Sequence, residues 1–88
     1  MRKTRQKRGF CVPGYRYCGP GCSGPGSPTN AVDSCCKRHD DCYQRYGPCK
    51  YCDNLFLDCL RPKINRQTNM GRDAALFYNV MRLRNALK

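Results

Sequence analysis

The chain contains no glutamate: all six acidic residues are aspartates, set against 17 Lys and Arg for a net charge of +11. That imbalance favours polyanionic partners, nucleic acid or an anionic membrane surface, without choosing between them. No apolar run approaches the ~18–20 residues that a membrane span requires. Behind Met1 stand Arg2, Lys3, Thr4, Arg5, Gln6, Lys7 and Arg8 rather than an apolar stretch. The sequence therefore reads as neither a transmembrane protein nor an uncut secretory precursor. Only one histidine is present in 88 residues. A chain of this size makes one small domain and buries only ~60–65% of its unfolded surface, so an apolar core alone would be marginal. Nine cysteines offset this. Such density marks a cross-linked scaffold formed in an oxidising compartment.

Four stretches differ in composition. Residues 1–9 form a basic tail, expected to be flexible; Arg2, Lys3, Arg5, Lys7 and Arg8 belong to it, leaving +6 on the remainder. Residues 10–29 hold Pro13, Gly14, Gly19, Pro20, Gly21, Gly24, Pro25, Gly26 and Pro28. So many breakers exclude a helix or long strand and predict an ordered loop held by cysteines. Asn30 or Thr29 then serves as N-cap for a helix running to Tyr46, ended by Gly47 and Pro48. A second helix is expected from about Cys49 to Leu60, stopping before Pro62. Beyond a polar connection through Asn69 and Gly71, a third is expected from Arg72 to Leu87, with Ala75, Leu76, Val80, Leu83 and Leu87 as its apolar face. The fold class is all-α and disulfide-rich: an antiparallel helix hairpin, a large loop before it and a third helix after it.

In an antiparallel hairpin with a short turn, opposed residues have numbers that add to a constant. Cys42 and Cys52 total 94, and so do Cys35 and Cys59. Members of each intrahelical pair are seven apart, two helical turns, and share one face. Disulfides Cys42–Cys52 and Cys35–Cys59 would rivet the hairpin at two levels, and His39 and Asp53, totalling 92, face each other between them. A histidine held by a carboxylate is the arrangement of a general base. Asp40 follows His39 directly, beside a glycine-rich loop whose carbonyls, with a carboxylate, are the hard oxygen ligands calcium prefers.

These residues carry a resemblance. Cys35-Cys36-Lys37-Arg38-His39-Asp40-Asp41-Cys42-Tyr43 resembles the active-site signature of secreted phospholipase A2. Tyr17-Cys18-Gly19-Pro20-Gly21 resembles that family's calcium loop, and Cys52-Asp53 with Cys59 resembles its second long helix. Pro13-Gly14-Tyr15-Arg16-Tyr17, Pro28-Thr29-Asn30 and the third helix look like the compact phospholipase domains of parvovirus capsid proteins and their bacterial relatives, which lack the β-wing of the venom and pancreatic enzymes.

The resemblance implies a calcium-dependent phospholipase A2 that cuts the sn-2 ester of glycerophospholipids. His39 would deprotonate the attacking water, Asp53 would orient His39, and Tyr43 would bond to Asp53. Asp40 would hold Ca2+ with the carbonyls of Tyr17, Gly19 and Gly21, while the Gly19 amide would help stabilise the oxyanion. The family's disulfides map to Cys18–Cys36, Cys35–Cys59 and Cys42–Cys52. Cys11, Cys22 and Cys49 remain, with Cys11–Cys22 as the expected fourth bridge; Cys22 stands where the venom and pancreatic enzymes usually carry Gly.

The expected partner is a phospholipid membrane surface, anionic by charge, with no nucleic acid required. The expected setting is outside the cytoplasm, secreted or associated with a particle. Phe10, Val12, Val32, Leu76, Phe77 and Val80 are candidates to line the acyl slot. Phe10, Val12, Met70 and Phe77 are candidates for the membrane interface, and Leu76 and Val80 have packing of the third helix as their alternative. Arg82, Arg84 and Lys88 are candidates to meet lipid headgroups, with an ordinary solvated face as theirs. Two rival readings exist. A catalytically weak, cationic membrane-binding homologue has no need of His39, Asp40 or Asp53. A zinc module built on Cys49-x-x-Cys52 and Cys18-x3-Cys22 would leave Cys42 and Cys59 without partners.

Overall fold

A computed structural model describes residues 11–19, 21–22 and 24–86. The basic tail, Phe10, Pro20, Ser23, Leu87 and Lys88 lie outside the described residues. Three α-helices follow the loop: α1 (Ala31–Tyr46), α2 (Lys50–Leu60) and α3 (Asn69–Ala86), with a 3-10 turn at Arg61–Lys63 between the last two. No strand occurs among the described residues, and no helix is long and apolar enough to cross a membrane.

The local causes are visible residue by residue. Asn30 caps α1, its Oδ1 accepting the Asp33 amide at 2.8 Å, which satisfies one of the donors every helix start leaves orphaned. Gly47 closes α1, its amide donating to Tyr43 O at 2.7 Å. Only Gly47, Pro48 and Cys49 then separate the helices, so α1 and α2 are forced into an antiparallel hairpin. The two expected rivets are present, Cys35–Cys59 with Cα atoms 5.8 Å apart and Cys42–Cys52 with 5.7 Å. Cys18–Cys36 ties the loop to α1, and Cys11–Cys22 closes the loop on itself. The four bridges span sequence separations of 10 to 24 residues; a loop of that size is worth about 3 kcal/mol through the freedom it removes from the unfolded chain. Cys49 keeps a half-buried thiol, its Sγ 3.6 Å from Cys52 Sγ.

The core is small and sulfur-rich. Val32, Leu60 and Ala74 are fully buried, Phe56, Met81 and Tyr15 nearly so, and Cys18, Cys22, Cys35, Cys36 and Cys52 fill the space between them. Met70, Leu57, Phe77 and Tyr78 pack against this cluster from its edge.

The third helix departs from expectation twice. It begins at Asn69 rather than Arg72. Thr68 starts it, its Oγ1 accepting the Gly71 amide at 2.9 Å. Gly71 is a contact point rather than a breaker: a Cβ there would collide with the backbone carbonyl oxygen of Asn65. The helix also turns a different face to the core. Gly71, Ala74 and Met81 are buried, whereas Leu76, Val80 and Leu83 are 56%, 49% and 63% exposed. Apolar residues lie nearly all round α3, so spacing alone supports two stripes; contact with the hairpin selects the one with the small residues, which allow close approach.

Candidate active site

Asp33 organises the loop. Its carboxylate is fully buried at the first turn of α1 and accepts four backbone amides: Tyr17 N at 2.8 Å, Thr29 N at 2.8 Å, Arg16 N at 3.1 Å and Cys18 N at 3.2 Å. Burial pushes its pKa up, but the amides of Thr29, Tyr17, Arg16 and Cys18 together outweigh it and hold Asp33 below the ordinary carboxylate range. The consequence is a loop whose path from Arg16 to Cys18 is fixed to the helix that carries His39. Gly19 and Gly21 continue that path at φ 135° and 74°, a region other residues rarely enter. Gly19 O accepts the Cys22 amide at 3.1 Å, which uses one of its two lone pairs.

The hairpin brings its own pair together between the rivets. His39 Nε2 lies 2.9 Å from Asp53 Oδ1, and Tyr43 donates its hydroxyl to the same oxygen at 2.5 Å. Asp53 is fully buried and the His39 side chain is only 10% exposed. The imidazole is sandwiched, stacked on Phe56 with ring centroids 4.5 Å apart and tilted against Tyr43 at 4.3 Å. Such packing leaves the ring one orientation. Burial first, then the bond and charge of Asp53, push the Tyr43 phenol up to about 12, so it stays a donor across the physiological range.

Asp40 is the site's unsolved charge. Burial raises its pKa to about 7, with the charges of Asp41 and Asp33 adding to this, and its Oδ2 is buried with no hydrogen-bond partner. A buried carboxylate oxygen without a donor is costly unless a cation satisfies it. Tyr17, Gly19 and Gly21 line the same cavity as Asp40. Among the described residues no group of three His, Cys, Asp or Glu side chains could hold a metal. Any ion here must therefore be bound mostly by backbone oxygens around one carboxylate, and that donor set suits calcium rather than zinc.

These parts open on one cavity of about 410 Å³. His39, Asp40 and Tyr43 form its polar side, and Val12, Phe56, Leu76, Phe77, Val80 and Met81 its apolar walls. Of the residues singled out in the sequence, Val12, Leu76, Phe77 and Val80 do line it. Val32 does not, being fully buried beneath the loop, and Met70 is half-buried against the core. Phe10 lies outside the described residues. Asp33, Phe56 and Met81 enter the site without having been singled out for it, whereas Arg84, a candidate for lipid headgroups, lines the cavity. For Asp33 the sequence carries one signal, a carboxylate at the third helical position after a Gly/Pro-rich loop. The others depend on tertiary packing.

The family model for the phospholipase A2-like domain matches residues 8–77. Capsid protein VP1 of murine minute virus (strain MVM prototype) is 51% identical over 70 residues, covering 78% of this chain and 10% of that protein. Capsid protein VP1 of porcine parvovirus (strain NADL-2) is 46% identical over 71 residues, 80% of this chain and 10% of that protein. The acidic phospholipase A2 homolog taipoxin gamma chain of Oxyuranus scutellatus scutellatus is 36% identical over 56 residues, 64% of this chain and 36% of that protein. The chain thus spans about a tenth of the length of the capsid proteins it matches. No solved structure matches it significantly. Since the matched segment carries the Asp33-anchored loop, the riveted hairpin with its His39–Asp53 pair, and the start of α3, this chain belongs to the phospholipase A2-like domain family.

Proposed function

We propose that the domain is a calcium-dependent phospholipase A2, hydrolysing the sn-2 ester of glycerophospholipids to a free fatty acid and a lysophospholipid. The observation that carries this reading is the His39–Asp53 bond of 2.9 Å at the wall of an apolar cavity that also holds the unpartnered oxygen of Asp40. Asp53 occupies Nε2 of His39, so the base is Nδ1. This nitrogen takes a proton as water attacks the ester carbonyl, and the buried Asp53 stabilises the imidazolium that results. The Gly19 amide donates to the oxygen that becomes negative. On collapse the ester C–O bond breaks, and the proton passes from His39 to the departing glycerol oxygen. Asp40 and the carbonyls of Tyr17, Gly19 and Gly21 would hold calcium, which when bound supplies positive charge beside the developing oxyanion.

A phospholipid surface is the partner this reading requires. Leu76, Val80 and Leu83 form an exposed apolar stripe on α3, and the first two also line the cavity, so the same helix that walls the site presents apolar side chains to the lipid. The net charge of +11 favours an anionic leaflet. The capsid-protein relatives support a particle-borne setting, with an extracellular one as the alternative.

The test is fatty-acid release from mixed anionic vesicles by the oxidised protein, in millimolar calcium and again in excess EGTA, with mass spectrometry identifying the ester cut. Release of the sn-2 chain in calcium alone is expected. Vesicle binding without release, from folded protein, would replace this reading with that of a catalytically weak membrane-binding homologue.

A further inference from the structure

Five residues of α3 face the cavity: Leu76, Phe77, Val80, Met81 and Arg84. Their spacing places them along one side of the helix, so the wall is apolar for two turns and ends in a guanidinium. Arg84 is the one Lys or Arg lining the cavity among the described residues, and it is solvent-exposed. It lies close enough to Tyr43 for its charge to pull the phenol's pKa down against burial and Asp53. It also lies beyond the segment 8–77 that the family model matches. An apolar wall with a solvated arginine at its end fits an amphiphile whose anionic group sits a few bonds from an ester placed at His39.

We propose that Arg84 recognises the phosphodiester of the bound glycerophospholipid and so sets the enzyme's preference for phospholipid over uncharged esters. This rests on the phospholipase reading above. The other anion the reaction offers is the fatty-acid carboxylate. That group forms at the scissile carbonyl, beside His39 and Asp40, whereas the sn-3 phosphate extends away from it. Guanidinium suits the phosphodiester because its planar fork donates to two oxygens at once.

The experiment compares wild type, Arg84→Gln and Arg84→Lys on two monomeric substrates: dihexanoyl phosphatidylcholine below its micellar concentration, and dihexanoylglycerol, which has the same chains but no phosphate. Monomers remove surface docking from the measurement. The expected result is a fall of roughly tenfold or more in the preference for phospholipid in Arg84→Gln, carried by KM rather than kcat, with Arg84→Lys intermediate. An unchanged preference overturns the proposal. So does relief of inhibition by hexanoate in Arg84→Gln with no change in phospholipid KM, since that assigns Arg84 to the product carboxylate.

A second readout needs no turnover. The Arg84 side-chain Nε–H is followed by NMR during titration with dodecylphosphocholine and with dodecyl maltoside. A shift with the phosphate-bearing amphiphile alone supports the proposal, and equal responses overturn it. If wild type cuts neither ester yet Arg84 selects dodecylphosphocholine, the phospholipase reading fails and the phosphate site stands.

Discussion

Tyr15 donates its phenolic hydrogen to Asp73 Oδ2 at 2.7 Å, joining the loop to α3 across 58 positions of sequence. The same ring meets Phe77 edge to face at 5.6 Å. Burial first, then the Asp73 bond, push the Tyr15 pKa up to about 12 from 10.0. A pKa raised on folding gives stability that is complete below the unfolded value and is lost as pH climbs through the folded one. The domain should therefore lose stability between about pH 10 and about pH 12. Tyr15→Phe should lower stability by ~1 kcal/mol at neutral pH and weaken that alkaline loss. Thermal melts across the alkaline range, in a Cys49→Ser background so that no free thiol attacks the disulfides, would show it. An identical alkaline slope in both proteins would rule it out.

The Asp33 carboxylate predicts a larger effect. Asp33→Ala leaves four backbone amides, that of Cys18 buried and the others partly so, without their acceptor, and the expected loss is about 3 kcal/mol, measured by denaturant unfolding of the oxidised protein. Its depressed pKa gives stability that is present above the usual aspartate value of 3.8 and is lost as pH falls below it. Asp33→Asn should show less acid destabilisation than wild type. Hydrogen exchange at Tyr17 and Cys18 reports the loop directly, and continued protection there in Asp33→Ala would contradict the anchoring role.

His39 and Asp40 should separate chemistry from ion binding. His39→Gln keeps a donor for Asp53 but no base, so hydrolysis should fall by about 10²–10⁴, while the rise in melting temperature on adding calcium persists. Asp40→Asn should lose both activity and the calcium-dependent rise. Calorimetric melts in calcium and in EGTA give the second readout independently of turnover. A calcium-dependent rise that survives in Asp40→Asn would place the ion elsewhere.

Leu83 belongs to the exposed stripe of α3 but not to the cavity wall. Leu83→Asp removes an apolar contact and adds a charge repelled by an anionic leaflet. Partition onto phosphatidylserine-containing vesicles, followed by sedimentation, should weaken roughly tenfold. Hydrolysis of vesicles should fall more than hydrolysis of monomeric short-chain lipid. Equal effects on both would show that α3 is not the docking face.

How much of this is legible in the sequence depends on what carries the information. The opposition of His39 and Asp53 follows from helix periodicity and two cysteine spacings of seven, so it can be written down without coordinates. The Cys11–Cys22 bridge completes the set of four, with Cys49 remaining as the thiol. The face of α3 could not be read, because Leu76, Val80 and Leu83 show the same spacing as a buried stripe would. The choice of Ala74 and Met81 instead is made by the shape of the hairpin they meet. Gly71 misled for a related reason: a glycine that permits close approach to Asn65 looks, in sequence, like part of the connection before a helix. Asp33 shows in sequence only as a carboxylate in the first turn of a helix, and which of Arg82, Arg84 and Lys88 reaches the cavity depends on the packing of α3.

The sulfur-rich core also governs how the domain responds to temperature. Five of the side chains that fill the interior are half-cystines, Cys18, Cys22, Cys35, Cys36 and Cys52. Unfolding with the bridges intact exposes little hydrocarbon and releases a chain that cannot fully expand. The heat-capacity increment should accordingly fall below the ~12–15 cal/mol/K per residue of ordinary globular domains. The stability curve is then shallow, and the domain keeps nearly the same margin against unfolding in the cold as in the warm.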